Sequence, residues 1–391
     1  MTSLRRRTRP ATRAVGLVVL ALIVAGCSSA GHPLTTFDPQ GSPARTIQNL
    51  IQPVFIVAGV VFVLVEGAII LFVIKFRRRR DDEDGVDEPR QIHGHFRAEV
   101  TWTLVPALIL AVLAVGNVRT IWKLENQQLN AKTTITVVGQ QWWWEFRYDV
   151  DGDGKPDIIT ANQLVIPIHT TIGLRIQSND VIHSFWIPAL NGKRDAVPGH
   201  RNGLAIEADK PGIYAGQCTE FCGLSHGYMQ MQVKALTRSD YDIWVANQLK
   251  GSVQPDPGSK AAEGKQLFFQ DCAGCHQLNG YNEKGNSTGT NRPGSDYRGA
   301  AQPLTSGNAP NLTHLMSREN FAGNMFPLYE NNAGAHKPIP TGTPNDGELA
   351  EWLRNPSAMK PMAPDQNRGM PNLNLSQDNI DKLVAFLTTL K

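Results

Sequence analysis

The stretch Cys218-Thr-Glu-Phe-Cys-Gly-Leu-Ser-His-Gly-Tyr-Met229 places two thiols, an imidazole and a thioether on one short loop. Thiolate and thioether sulfurs are soft donors that favour copper, and imidazole suits it too, whereas magnesium or calcium would call for oxygen ligands. A mononuclear blue-copper loop carries a single cysteine. Here Cys218 and Cys222 lie four apart, so both sulfurs can bridge a pair of copper ions, with His226 on one of them and a second histidine still required. His183 is the candidate. The plainer readings are a Cys218–Cys222 disulfide, which a non-cytosolic compartment permits, and a Cys/His zinc site. Neither explains Met229.

A second chemistry is written at Cys272-Ala-Gly-Cys275-His276. Cys-x-x-Cys-His is the attachment signature of c-type haem: both thiols bond the porphyrin and the histidine becomes an axial ligand. A thioredoxin-like redox pair would need a strand and helix around it, whereas Glu263–Gln270 reads as a short helix leading into the motif. Ile380, Leu383, Val384 and Leu387 fall at i, i+3, i+4 and i+7 and predict a terminal helix with Ser376 as its N-cap. Met316, Met325, Met359, Met362 and Met370 all follow the motif. Met370, in the Gly369-Met-Pro371 turn ahead of the terminal helix, is the expected sixth ligand, with Met362 its competitor; this placement resembles class I cytochromes c.

The copper-loop spacing, with His183-Ser-Phe-Trp-Ile-Pro-Ala-Leu190 and Lys193-Arg-Asp-Ala-Val-Pro-Gly199, resembles subunit II of the heme-copper cytochrome oxidases. The resemblance implies a dinuclear copper (CuA) centre held by the side chains of His183, Cys218, Cys222, His226 and Met229 and by the backbone carbonyl of Glu220, and it leaves room for a magnesium ion near Glu220. It also implies a cupredoxin-like sandwich, a fused class I cytochrome c domain, and oxidase subunits I and III as partners. In Gln141-Trp-Trp-Trp-Glu-Phe146, a strand period of two sends Trp142 and Trp144 to one face and Trp143 to the other, so the three cannot all face one core. The resemblance gives Trp142 a role in electron entry; the plainer reading is an aromatic strand plus a membrane-interface ring. Glu99, in Glu99-Val-Thr-Trp-Thr-Leu-Val-Pro106, resembles the family's glutamate at the mouth of a proton channel of subunit I, beside the plainer reading of a solvated helix-end carboxylate.

These residues need scaffolds. Alternating and β-branched runs at Thr134–Val138, Leu164–Ile168 and Ile172–Ile176 predict an all-β sandwich over residues 131–237. A linker with Gly251, Pro255, Pro257 and Gly258 leads to an all-α haem domain over 259–391, loop-rich from Asn279 to Asn311. Two apolar segments, 51–76 and 99–122, are long enough to span a membrane. Arg77, Arg78, Arg79 and Arg80 follow the first and mark the cytoplasmic side, which puts everything after about Lys123 on the outer face of a bacterial plasma membrane. Arg5, Arg6, Arg7, Arg9 and Arg13, an apolar run from Ala14, and Leu22-Ile-Val-Ala-Gly26 before Cys27 read as a lipoprotein signal over 1–26, with Cys27 lipidated. Glu66, inside the first span, is expected to pair with or pack on another subunit. Asp149-Val-Asp-Gly-Asp-Gly-Lys-Pro-Asp157 starts like a calcium loop but has Thr160 at the twelfth position and Pro156 within, so an exposed hairpin turn is expected in place of calcium.

A net charge of +3 decides little, and no nucleic-acid partner is expected. Two spans and no set of membrane-buried histidines put oxygen chemistry on another chain. The expectation is an electron-transfer subunit of a proton-translocating respiratory oxidase. Haem on Cys272, Cys275 and His276 would receive electrons from an upstream cytochrome or bc-type complex and pass them to the dicopper centre. The competing readings are the copper subunit of a quinol-dependent nitric oxide reductase and a stand-alone copper lipoprotein, against which the haem motif argues.

Overall fold

The structure, a computed structural model, describes residues 33–77, 93–279, 309–331, 337–366 and 368–391. The expected leader 1–26 with Cys27, and Arg78, Arg79 and Arg80, lie outside the described residues, as does most of the Asn279–Asn311 segment.

Helix α1 runs Ser42–Phe76 and α2 runs Phe96–Leu129, and both are long and apolar enough to cross a membrane. At about 1.5 Å per residue they outreach a hydrocarbon core of about 30 Å. Accordingly α1 starts before residue 51 and α2 continues past residue 122. The added turns are ordered by protein contact, which hydropathy does not register. Pro43, Ala44 and Thr46 are buried, Gln127 Nε2 donates to Ser42 Oγ (3.1 Å), and Arg45 pairs with Asp209 of the soluble part.

The sandwich is built from β1 (Thr133–Gln140), β2 (Trp143–Tyr148), β3 (Ile158–Ala161), β4 (Gln163–Pro167), β5 (Ile172–Ser178), β6 (His183–Trp186), β7 (Arg194–Ala196), β8 (Asn202–Ile206), β9 (Gly212–Cys218) and β10 (Gln230–Leu236). One sheet is ordered β3-β2-β1-β5-β8 and the other β4-β10-β9-β6-β7. β1 runs parallel to β5 and β4 parallel to β10; the remaining neighbours are antiparallel. Inward positions recurring at every second residue, such as Ile135 and Val137 on β1 and Leu174 and Ile176 on β5, fill the core with Trp144, Phe146 and Phe185. The pairing of β6 with β9 sets Phe185 opposite Cys218, so the His183 end of one strand meets the cysteine end of the other. The Asp149–Asp157 segment joins antiparallel β2 and β3, and its carboxylates accept backbone N–H groups: Asp149 from Gly152 and Gly154, Asp157 from Val150.

Between the sandwich and the Gly251–Gly258 linker, a stretch to which the sequence assigned no element, the structure places helix α3 (Arg238–Gln248). Thr237 caps it, and Trp244 packs against Tyr148 and Tyr241. The C-terminal domain comprises α4 (Lys260–Leu267), the small hairpin β11 (Asn320–Phe321) with β12 (Phe326–Pro327), α5 (Asp346–Arg354), α6 (Pro356–Met359) and α7 (Gln377–Leu387). Among the described residues its regular elements are helical apart from that hairpin and two isolated bridges. Ser259 caps α4, and the chain widens into a π turn at Phe268–Cys272, so the helix ends before Gln270. α7 is capped by Ser376, whose hydroxyl accepts the Asn379 N–H. The α4–α7 crossing is close: a Cβ on Gly264 would lie 1.8 Å from the Lys382 carbonyl oxygen.

Candidate dicopper and haem sites

The copper-loop donors converge. Cys218 Sγ and Cys222 Sγ are 3.8 Å apart, each thiol free, well beyond the roughly 2.05 Å of a disulfide. Cys218 Sγ lies 4.0 Å from His183 Nδ1 and 3.3 Å from the Glu220 carbonyl oxygen. Cys222 Sγ lies 3.6 Å from His226 Nδ1 and 3.7 Å from Met229 Sδ. Each sulfur therefore has one imidazole nitrogen beside it, and the donor chemistry fits two soft metal ions bridged by both sulfurs. The Cys222 thiol's hydrogen bond holds Cys218 well below the usual cysteine range, and the same contact pushes Cys222 up. Metal binding, which needs both sulfurs deprotonated, would release any proton left on the pair. The backbone closes the loop: Cys218 N–H donates to the Met229 carbonyl (2.9 Å) and Thr219 N–H to that of Ser184 (3.0 Å).

Asp180, unremarked in the sequence, orients the histidine. Its Oδ1 lies 2.8 Å from His183 Nε2, which leaves Nδ1 toward Cys218. Burial raises the Asp180 pKa, but the His183 hydrogen bond and the N–H groups of Gln141 and Val181 more than offset it and hold the carboxyl below the usual range. Burial lowers His183, and the bonds to Asp180 and Cys218 outweigh it in the upward direction. Gly139 is the other hidden requirement, because a Cβ there would come within 2.8 Å of the His183 ring.

At the haem motif, Cys275 N–H and His276 N–H both donate to the Cys272 carbonyl (3.0 and 2.9 Å), which folds the two thiols and the imidazole toward one cavity. His276 Nδ1 donates to the Pro310 carbonyl (2.9 Å), which leaves Nε2 as the nitrogen available to a metal. Burial pushes the imidazole down and so keeps it neutral. The apolar walls include Phe268, Leu315, Phe321, Trp352, Leu383 and Leu387. Of the methionines after the motif, Met362 and Met370 line the cavity and Met316, Met325 and Met359 do not. Met370 Sδ accepts Trp352 Nε1–H (3.1 Å), and Met370 N–H points at Met362 Sδ (3.4 Å). Gly369 permits this stacking with a φ of 96°, since a Cβ would lie 2.5 Å from the Met362 Cβ. The residues fit a covalently attached haem.

Trp142 lies in the β1–β2 turn rather than on a strand, which removes the premise that three tryptophans must divide between two strand faces. Its Nε1–H donates to the Cys222 carbonyl (2.9 Å) while the residue also lines the haem cavity. Trp143 lines the cavity too, and Trp144 packs edge-on against Phe185. All three are buried, so none forms a membrane-interface ring.

The domains meet along a polar seam. Lys234 and Glu319 form a buried ion pair (2.7 Å), Gln163 Oε1 accepts from Glu319 N–H (3.0 Å) and from Gln232 (2.8 Å), and Arg368 Nε donates to Gln141 Oε1 (2.8 Å). Lys360 Nζ donates to the carbonyls of Trp142 (2.7 Å) and Ala322 (3.3 Å), and burial pushes this ammonium down to about 7. Glu99 stands apart from both sites. It is exposed at the start of α2, where it accepts the His95 N–H (2.9 Å). The Glu220 side chain is exposed, and among the described residues it joins no cluster of three potential metal ligands.

A cupredoxin-like sandwich on two membrane-length helices, with a paired-thiol loop beside a c-type haem cavity, defines an electron-transfer subunit of the respiratory oxidase class. Matches to known proteins agree. Family models for the cytochrome c oxidase subunit II transmembrane domain (residues 33–119), its periplasmic domain (152–236) and cytochrome c (261–391) cover most of the chain. Cytochrome c oxidase subunit 2 of Alkalihalophilus pseudofirmus is 32% identical over 98% of this chain and 98% of its own, and that of a Bacillus species is 31% identical over 95% of each. The solved periplasmic domain of subunit II of cytochrome oxidase from Bradyrhizobium japonicum is 30% identical, covering 30% of this chain and 94% of that one, with a TM-score of 0.28. The chain belongs to the cytochrome c oxidase subunit II family, in a form that carries a cytochrome c domain. It is a membrane-anchored electron-transfer subunit of a haem-copper oxidase, and its residues 152–236 match the family's periplasmic domain.

Proposed function

We propose that the chain relays electrons from haem c to a dinuclear copper centre, and from there to the oxygen-reducing subunit I of a proton-translocating complex that also includes subunit III. His183, Cys218, Cys222, His226 and Met229, with the Glu220 carbonyl, would hold the copper pair. Cys272 and Cys275 would bond the haem, and His276 and Met370 would be its axial ligands. Together the two groups supply reversible one-electron chemistry. The chain's own residues orient and exclude water: Asp180 sets the His183 tautomer, the Pro310 carbonyl sets that of His276, and the apolar walls would keep a bound porphyrin dry.

The observation that carries this reading is Trp142, which lines the haem cavity and hydrogen-bonds the backbone of a copper-loop cysteine. Trp142 thus touches both sites, and it is the residue we assign to electron entry. Rapid-mixing reduction of the intact oxidase, following haem and copper absorption separately, tests it. Trp142→Phe should slow copper reduction after haem reduction with both cofactors still present; an unchanged rate would overturn the assignment. The upstream donor would be a cytochrome or bc-type complex. We further assign the outer face of a bacterial plasma membrane to the soluble domains, lipidation to Cys27, and the mouth of a subunit I proton channel to Glu99. N-terminal mass spectrometry that found residues before Cys27, or no acyl chain on it, would refute the lipidation.

A further inference from the structure

Lys360 is a buried ammonium whose hydrogen-bond partners are the two carbonyls of Trp142 and Ala322. A lysine has three N–H donors, and no carboxylate of the described residues lies within ion-pair distance of this one. Leaving an ammonium buried without a counter-charge costs several kcal/mol. The side chain lines the haem cavity, as does Arg318, a second buried cation that has no carboxylate partner among the described residues. Among those residues Arg318 Nε has no hydrogen-bond partner, and Nη2 donates to the Asn311 carbonyl (2.5 Å). The Cys222 thiol is the one charge acting on Lys360 among the described residues and offsets only part of its burial cost, so both cations face a space in which further negative charge would arrive with the occupant. A c-type haem carries two carboxylates on its propionate arms.

We propose that Lys360 is the counter-ion of one haem propionate, and that by holding the Trp142 carbonyl with the same ammonium it locks that edge of the haem onto the copper side of the seam. This rests on haem attachment at Cys272 and Cys275. It adds a continuous hydrogen-bonded chain from propionate to Lys360, from Lys360 Nζ to the Trp142 carbonyl, and from Trp142 Nε1 to the Cys222 carbonyl. Lys360 acts as a positioning residue and as an electrostatic one, since a carboxylate stripped of its cation favours the oxidised haem.

The test uses the whole oxidase complex carrying Lys360→Met and Lys360→Arg. A pyridine haemochrome spectrum and the mixed-valence copper EPR signal first establish that both cofactors are in place; their loss from wild type would refute the underlying reading instead. Redox titration should then show the haem potential shifted down in K360M and restored in K360R. In redox-difference infrared spectra, the propionate carboxylate band, identified by ¹³C labelling through aminolevulinate, should move in K360M. A haem potential and band both unchanged in K360M would overturn the proposal, as would a shift confined to copper. If K360M does not accumulate, the labelled band must still differ between wild type and K360R, because the arginine presents different N–H geometry; an unmoved band overturns the proposal equally.

Discussion

At the scale of single residues, each site is a contrast between groups that bind and groups that aim. Replacing Cys222 by serine removes a bridging sulfur, so the mixed-valence copper EPR signal should vanish while the haem stays attached; a surviving signal would refute the binuclear assignment. Asp180→Asn is subtler. It keeps a hydrogen-bonding group near His183 Nε2 but loses the carboxylate that fixes the ring, and by analogy with other supporting shells copper affinity should fall about 10–100-fold. Competition titration with a chelator would measure it, the haem spectrum serving as internal control. Met370→Leu should remove the methionine-to-iron charge-transfer band and lower the haem potential, whereas Met362→Leu should do neither; the reverse result would pass the ligand role to Met362. The candidate ligands were legible because seven of their side chains are crowded onto two short motifs, Cys218–Met229 and Cys272–His276. Asp180 was not, because an aspartate in Ser-Asn-Asp-Val-Ile-His is indistinguishable from a turn residue until β6 brings its oxygen to 2.8 Å from the imidazole.

At the scale of elements, period and capping carried far. Ser376 and the Ile380–Leu387 stripe located α7, and the alternation at Thr134–Val138 located β1. Legibility failed where tertiary contact overrode local signal. α3 was missed because its apolar character is concentrated in Trp244 and a few neighbours packed on the sandwich, and the ends of α1 and α2 were missed because they are held by protein rather than lipid. The Trp142–Trp144 run was misread because the first of the three lies in a turn, invisible to strand periodicity, and the strand begins only at Trp143. Gly264 tests the packing of the haem domain. Gly264→Ala would drive a methyl group into the Lys382 carbonyl, so α4 and α7 must separate, at a cost of about 1–3 kcal/mol or more. Thermal unfolding followed at the haem absorption should show a lower midpoint, with the sandwich transition unmoved.

At the scale of the whole molecule, the buried Lys234–Glu319 pair ties the two soluble domains together. Glu319→Ala removes the buried carboxylate that pairs with the Lys234 ammonium and should weaken docking by about 3–5 kcal/mol, whereas the double change Lys234→Met with Glu319→Leu should cost far less. Protease sensitivity of the Gly251–Gly258 connection would read the difference; equal sensitivity of the single and double variants would show that the pair does not hold the seam.

The burial of Trp142 beneath Lys360 and the haem cavity also has a kinetic meaning. A donor that is already seated makes the haem-to-copper step unimolecular: its rate should not depend on protein concentration, and with no diffusional encounter to steer it should be nearly indifferent to ionic strength. Salt sensitivity should appear only upstream, where a separate donor must find the haem domain. Rates of the two steps measured across a salt series would separate a seated domain from one that docks and departs with each electron.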